Sequence, residues 1–229
     1  FGKFANKAYS IEKANEFYQN RFYLLCPNDE WPAARPNKVS AFHDRLVQAN
    51  AVFGSSFGLE LPLWFAPEGS EPVEIPSFRR SNAHEPVAEE CHAVRDGVGI
   101  LDGSSFGKYE ISGPDAVSFM EYLFASRLPE LGKIRMGPLL LPSGHLKGDM
   151  TVMRLAQDKF RVIGSGYLQE FHMLWFEQHV GDRNVRIVNC SDALSAIAIA
   201  GPGSRELMTL AACGDVSRES MPFMSVSCM

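Results

Sequence analysis

Tyr109-Glu110-Ile111-Ser112-Gly113-Pro114 and Ile197-Ala198-Ile199-Ala200-Gly201-Pro202 are built alike. Each is a short run of strand character, a glycine for a sharp turn, and a proline for the first helical position. Proline's missing N–H costs nothing there. Each therefore reads as strand, turn, helix. Two such units predict an α+β fold with helices layered on an antiparallel or mixed sheet. Gly-Pro is also a common helix opener, so the repetition has a simpler reading as well.

Working outward, Phe106 to Ile111 alternates as a strand, and a helix follows from Gly113 through Phe124. Ile134–Leu141 and Met150–Leu155 read as strands flanking the turn Pro142-Ser143-Gly144-His145. Strands are expected over 160–164, 185–188 and 196–200, with helices over 168–180 and from Pro202. Upstream, Ser10 is expected to cap a helix to about Arg21 with Ala14, Phe17 and Tyr18 on one face. The prolines of Cys26–Pro36 predict an extended linker. Ser40 is expected to cap a second helix with the stripe Phe42, Leu46 and Val47. Residues 67–76 read as a surface loop, and His84 to Val98 as a third helix with Val87, Cys91, Val94 and Val98 at helical spacing. On that helix Glu89, Glu90, Arg95 and Asp96 read as the solvated side.

The 229 residues allow one substantial domain or two small ones. A hydrophobic share of 45% against 21% charged is that of a globular protein. The net charge of -5 argues against nucleic acid or an anionic membrane as the main partner. No run has the apolar length of a membrane span. The five cysteines are scattered, which gives neither a disulfide framework nor a zinc spacing and points to a reducing compartment. The first residue is Phe1 and no signal-peptide core follows, so the chain is expected to be a piece of something longer.

Several motifs fail on context. Gly54-Ser55-Ser56-Phe57-Gly58 and Gly103-Ser104-Ser105-Phe106-Gly107 match the nucleophile-elbow pattern, but neither has the helix that must follow the serine. No two histidines stand at i, i+4, and His172 and His179 share a helix face two turns apart, a distance suited to packing or a surface role. No dinucleotide fingerprint or Walker loop is present. Asp149 is the acid with a chemical context: it follows Gly148 at the mouth of a strand, with Leu146, Met150 and Val152 as apolar neighbours. A carboxylate at the edge of an apolar pocket can handle protons; an Asp near a tight turn can also simply close it.

His92-Ala93-Val94-Arg95, Gly99-Ile100-Leu101-Asp102, Gly113-Pro114-Asp115-Ala116, Gly132-Lys133, Pro142-Ser143-Gly144, Gly148-Asp149, Ile197 to Pro202 and Met221-Pro222-Phe223 run in one order. That order resembles the glycine-cleavage T-protein (aminomethyltransferase) superfamily. Glu30 to Pro36, Ala51 to Gly54, Pro62 to Pro67, Ser77 to Asn82 and Ser104 to Lys108 resemble its dimethylglycine/sarcosine dehydrogenase branch. The resemblance implies a T-protein-like folate-binding fold. Residues 1–36 would be the tail of a preceding FAD-oxidoreductase region and linker, and residues 37–229 the N-terminal part of the folate-binding domain.

The implied chemistry is one-carbon transfer. A FAD domain on another part of the protein oxidises a methylamine substrate, and tetrahydrofolate captures the carbon as 5,10-methylenetetrahydrofolate. By motif, Asp149 falls on the family's proton-handling acid, facing a cavity shaped for the reduced pterin. Phe106 and Met136 fall on ring contacts, and Thr151, Ile163, Ser165 and Tyr167 on pocket-lining positions. Core packing is the alternative for each taken singly. The chain departs from the family pattern at Gly148, where a second acid often stands, at Ser165, where T-proteins carry Asn, and at Met136, where they carry an aromatic. The family's later Tyr-Thr-Gly-Glu segment, which grips the pterin, does not occur in it. Alternatives are a T-protein or folate-dependent demethylase, and a non-catalytic folate-binding or structural module. The resemblance places the protein in the cytoplasm, or in the mitochondrial matrix of a eukaryote.

Overall fold

The computed structural model describes residues 6–25, 29–212 and 214–228. They form two compact units, one from residues 1–102 with 197–202 and the other from 103–196 with 203–229.

The second unit holds an antiparallel sheet of five strands: β4 (Gly107–Ser112), β5 (Ile134–Leu140), β6 (Leu146–Ala156), β7 (Lys159–Gly164) and β8 (Arg186–Asn189), ordered β5-β6-β7-β4-β8. Alternation decides the faces. Tyr109, Ile111, Met150, Val152, Phe160 and Val162 point to one side and are buried. Helix α4 (Ala116–Leu123) lays Ala116, Phe119, Met120 and Leu123 on that side, and α5 (Gln169–Val180) adds Phe176. Fully burying each such large side chain contributes about 2 kcal/mol, so this layer holds the unit together. A short helix, α6 (Ser204–Ala211), belongs to the same unit.

The first unit contains α1 (Lys7–Gln19), α2 (His43–Gln48), the hairpin β1 (Ala51–Ser56) and β2 (Leu59–Phe65), α3 (His84–Asp96), and an antiparallel pair of β3 (Gly99–Asp102) with β9 (Ile197–Ala200). Its small core is Val52, Trp64, Ala66 and Ala83. The 29–36 segment is tied down from two sides. Glu16 of α1 accepts from the Ala33 backbone N–H at 2.7 Å, and Lys13 Nζ donates to the Trp31 carbonyl at 2.9 Å. Arg35 forks onto the buried Glu60 carboxylate, Nε to Oε1 at 2.9 Å and Nη2 to Oε2 at 2.6 Å. Part of the expected linker, residues 26–28, lies outside the described residues.

Several expectations need correction. Helix α1 starts a turn earlier than Ser10, because Asn6 Oδ1 caps it by accepting from the Tyr9 N–H at 2.7 Å. Its buried residue is Glu16, while Phe17 and Tyr18 are exposed. Ser40 does not begin α2; its hydroxyl donates to Asp102 Oδ2 at 2.6 Å and accepts from the Phe42 N–H. Gly54 to Gly58 is strand and turn, in keeping with the rejected elbow: Phe57 and Gly58 take φ of 50° and 79° and reverse the chain into β2. Glu90 is not merely solvated, since its Oε1 accepts from the Phe65 N–H at 2.9 Å. The two prolines precede their helices by two residues instead of starting them. The glycines before them do what the turn requires: Gly113 and Gly201 have φ of 130° and 113°. A Cβ would meet backbone carbonyls there, Asn184 O at 2.6 Å and Gly97 O at 2.5 Å.

Candidate functional site

The sheet's second face, opposite the packed helices, is where the candidate residues gather. Register places Met136 across from Thr151, Thr151 across from Ile163, and Ile163 across from Lys108, one row spanning β5, β6, β7 and β4. Asp149 stands two residues before Thr151, so it shares that face, opposite Pro138. Ser165 directly follows the last residue of β7, and Phe106 directly precedes the first residue of β4. Four of the seven candidates, Asp149, Met136, Thr151 and Ile163, thus share one sheet face, and Ser165 and Phe106 border it at the ends of β7 and β4. Tyr167 sits in the single 3₁₀ turn 166–168 that follows.

Gly166 lets the segment that carries Tyr167 approach the segment that carries Phe106. A Cβ on Gly166 would lie 1.7 Å from the Ser105 carbonyl oxygen and 3.7 Å from Phe106 Cα. The backbone after β7 therefore presses directly on the backbone before β4. The aromatic rings that flank this contact are open, Phe106 at 51% exposed and Tyr167 at 60%, and Met136 is 62% exposed. Asp149 is exposed as well. Met136, Ile163 and the exposed Asp149 share the sheet face, and the exposed rings of Phe106 and Tyr167 lie on the turns that border it. The expected cavity around Asp149 is this open surface in the described chain.

Charge on the same face is organised below that level. Glu110 accepts from Lys159 and Arg161, each at 3.0 Å, and these bonds, Lys159's first, hold its carboxyl below the usual range against the opposing effect of burial. On the packed side, directly behind the site, Tyr109 Oη and His172 Nδ1 are 2.9 Å apart and both residues are buried. Burial, with Lys147 as a second cause, pushes the imidazole down to about 4; burial, with Glu170, pushes the phenol up. The pair fits because Gly107 and Gly164, cross-strand partners, leave room: a Cβ at either would strike the Tyr109 hydroxyl at 2.4 Å or His172 Cε1 at 3.0 Å. His172 therefore has the packing role expected of it, and His179 stacks on Trp175 with centroids 3.9 Å apart.

Among the described residues no group of three or more His, Cys, Asp or Glu converges as a metal site, and no helix is long and apolar enough to cross a membrane. Two features escaped the sequence reading. Lys108, on the row with Ile163, is only 4% exposed, and the Tyr109–His172 pair joins residues 63 apart. A lysine in an alternating strand and a histidine in a helix carry no local signal of either.

The layered antiparallel strands and helices match the T-protein fold of aminomethyltransferases. The glycine cleavage system aminomethyltransferase T of Bartonella henselae superposes with a TM-score of 0.65 at 20% identity, over 82% of this chain and 46% of that one. The chain belongs to the GCVT N-terminal domain family, which it matches over residues 42–229. It is 33% identical to human mitochondrial dimethylglycine dehydrogenase over 98% of its own length and 26% of that protein's. Human mitochondrial sarcosine dehydrogenase is 27% identical over 93% of this chain and 28% of its own length. The aminomethyltransferase of Chloroherpeton thalassium is 29% identical over 62% and 40%. The chain thus spans about a quarter of the two dehydrogenases it resembles.

Proposed function

We propose that this chain contributes the folate-binding surface of a dimethylglycine/sarcosine dehydrogenase-like enzyme, on which a one-carbon unit from a methylated amine is passed to tetrahydrofolate. One observation carries the reading: Met136, Thr151, Ile163 and Asp149 lie on a single sheet face beside the exposed rings of Phe106 and Tyr167. The residues suit a reduced pterin. Two aromatic rings and a thioether offer a planar ligand apolar contact, Thr151 and Ser165 offer hydroxyls, and Asp149 offers an anionic acceptor for ring N–H groups. When bound, tetrahydrofolate supplies the nucleophilic nitrogens that accept the carbon.

The chain's own part is orientation and proton handling. The Asp149 carboxylate holds a proton at Oδ as a folate nitrogen gives it up. The rings fix the approach and shorten the search for it. A cover on the open side would exclude water, and a protein of the relatives' length has material for one. In the same reading residues 1–36 are the tail of a FAD-oxidoreductase region, residues 37–229 begin the folate domain, and the amine is oxidised on the FAD-bearing part. The family match starting at residue 42 and the 33% identity to a dimethylglycine dehydrogenase support both. The mitochondrial relatives favour the matrix for a eukaryotic source.

Asp149→Asn in the natural protein carrying this chain tests the acid's role. Retained reduced-folate affinity with turnover down by about a hundredfold, the scale of a lost acid–base group, is the expected outcome. Unchanged turnover would leave Asp149 a strand residue with no chemistry.

A further inference from the structure

We propose that Lys108 is a positioning residue for the folate platform, one that sets the ring of Phe106 by gripping the loop from which it projects. The proposal rests on the folate reading above. Lys108 Nζ donates to the Ser104 carbonyl at 2.9 Å and to the Phe106 carbonyl at 2.7 Å. The side chain is buried although it lies on the sheet's platform face. Its root cannot shift: the Lys108 N–H donates to Ser191 Oγ at 2.9 Å, and its carbonyl accepts from the Cys190 N–H at 2.7 Å.

Two carbonyls two residues apart are drawn to one ammonium. This fixes the peptide planes before Ser105 and after Phe106. Gly166 presses on the same loop at the Ser105 carbonyl, and the Phe106 N–H returns to the Gly103 carbonyl at 3.3 Å. The backbone at Phe106 is therefore held by several contacts while its ring stays half exposed. A ring presented by a fixed backbone loses less freedom on binding a planar ligand. Charge-assisted bonds to carbonyls are both strong and directional, which suits orientation.

The test is a double-mutant cycle in the natural protein, with 5-formyltetrahydrofolate affinity read by titration and folding read by thermal melt. Lys108→Met should weaken binding about tenfold, the scale of lost charge-assisted bonds, with turnover at saturation little changed. In a Phe106→Ala background the same substitution should change affinity less than about twofold, because coupled residues are not additive. Lys108→Arg should recover part of the affinity. If the methionine variant does not fold, Lys108→Arg carries the cycle, its smaller effect again confined to the background that keeps Phe106. Equal weakening in both backgrounds overturns the proposal, as does unchanged affinity in Lys108→Met while Phe106→Ala binds poorly. Should neither Phe106→Ala nor Asp149→Asn alter affinity or turnover, the folate reading itself fails and the Lys108 proposal falls with it.

Discussion

Acidification should weaken this protein through one histidine, and His172→Gln should remove that weakness. His172 is 6% exposed, beside the Tyr109 hydroxyl at 2.9 Å. Burial holds its imidazole near 4 in the folded chain against an ordinary value of 6.5. Below pH 6.5 the unfolded chain takes up a proton that the folded chain refuses until about pH 4. Stability therefore falls as pH drops through that window and is unaffected by this group above it. A gap of this size, at 1.36 kcal/mol per pH unit, amounts to about 3 kcal/mol at the acid limit and about 2 kcal/mol by pH 5. Glutamine keeps a polar partner for Tyr109 and cannot titrate. Urea unfolding followed by tryptophan fluorescence at pH 7.5 and pH 5 measures the effect. Carboxylates change in the same range, so the difference between the two proteins is the readout: the parent should lose about 2 kcal/mol more than the variant. Equal losses would refute the reasoning.

Three further outcomes follow from the contacts described. Glu60→Gln leaves the Arg35 guanidinium without its buried carboxylate and should cost about 3 kcal/mol in urea unfolding; a change under 1 kcal/mol would mean the fork is not formed. Gly166→Ala forces a methyl group onto the Ser105 carbonyl, so reduced-folate affinity should fall at least about tenfold as Phe106 and Tyr167 separate. Gly148→Asp places a second acid next to Asp149 at a position with no atom within 4 Å of its Cβ. Stability should change by less than about 0.5 kcal/mol. Folate affinity should also hold, because strand alternation turns residue 148 away from the face of Asp149.

How much of this was readable in the chain depends on the range of the interactions. Strands β4 and β7 alternate with period two, and α4 follows helical spacing, so the α+β layering could be anticipated from local pattern. The β1–β2 hairpin could not. Gly54-Ser55-Ser56 carries little apolar alternation, and its pairing with Leu59, Glu60 and Leu61 is what makes it a strand. Asn6 and Ser10 are both competent caps, and only the folded helix selects Asn6. Met136, Thr151, Ile163 and Asp149 could be named from motif order, but their common face emerges from register between three strands. Lys108 was invisible because its role lies in a carbonyl grip at the end of its own strand.

The central claim is that a reduced pterin lies on the sheet face carrying Asp149, Thr151 and Ile163. A crystal structure of the natural protein soaked with 5-formyltetrahydrofolate measures it directly. The pterin should stack by Phe106 or Tyr167 with a ring nitrogen within hydrogen-bond distance of an Asp149 Oδ. Folate bound elsewhere, with Asp149 in open solvent, would contradict the account.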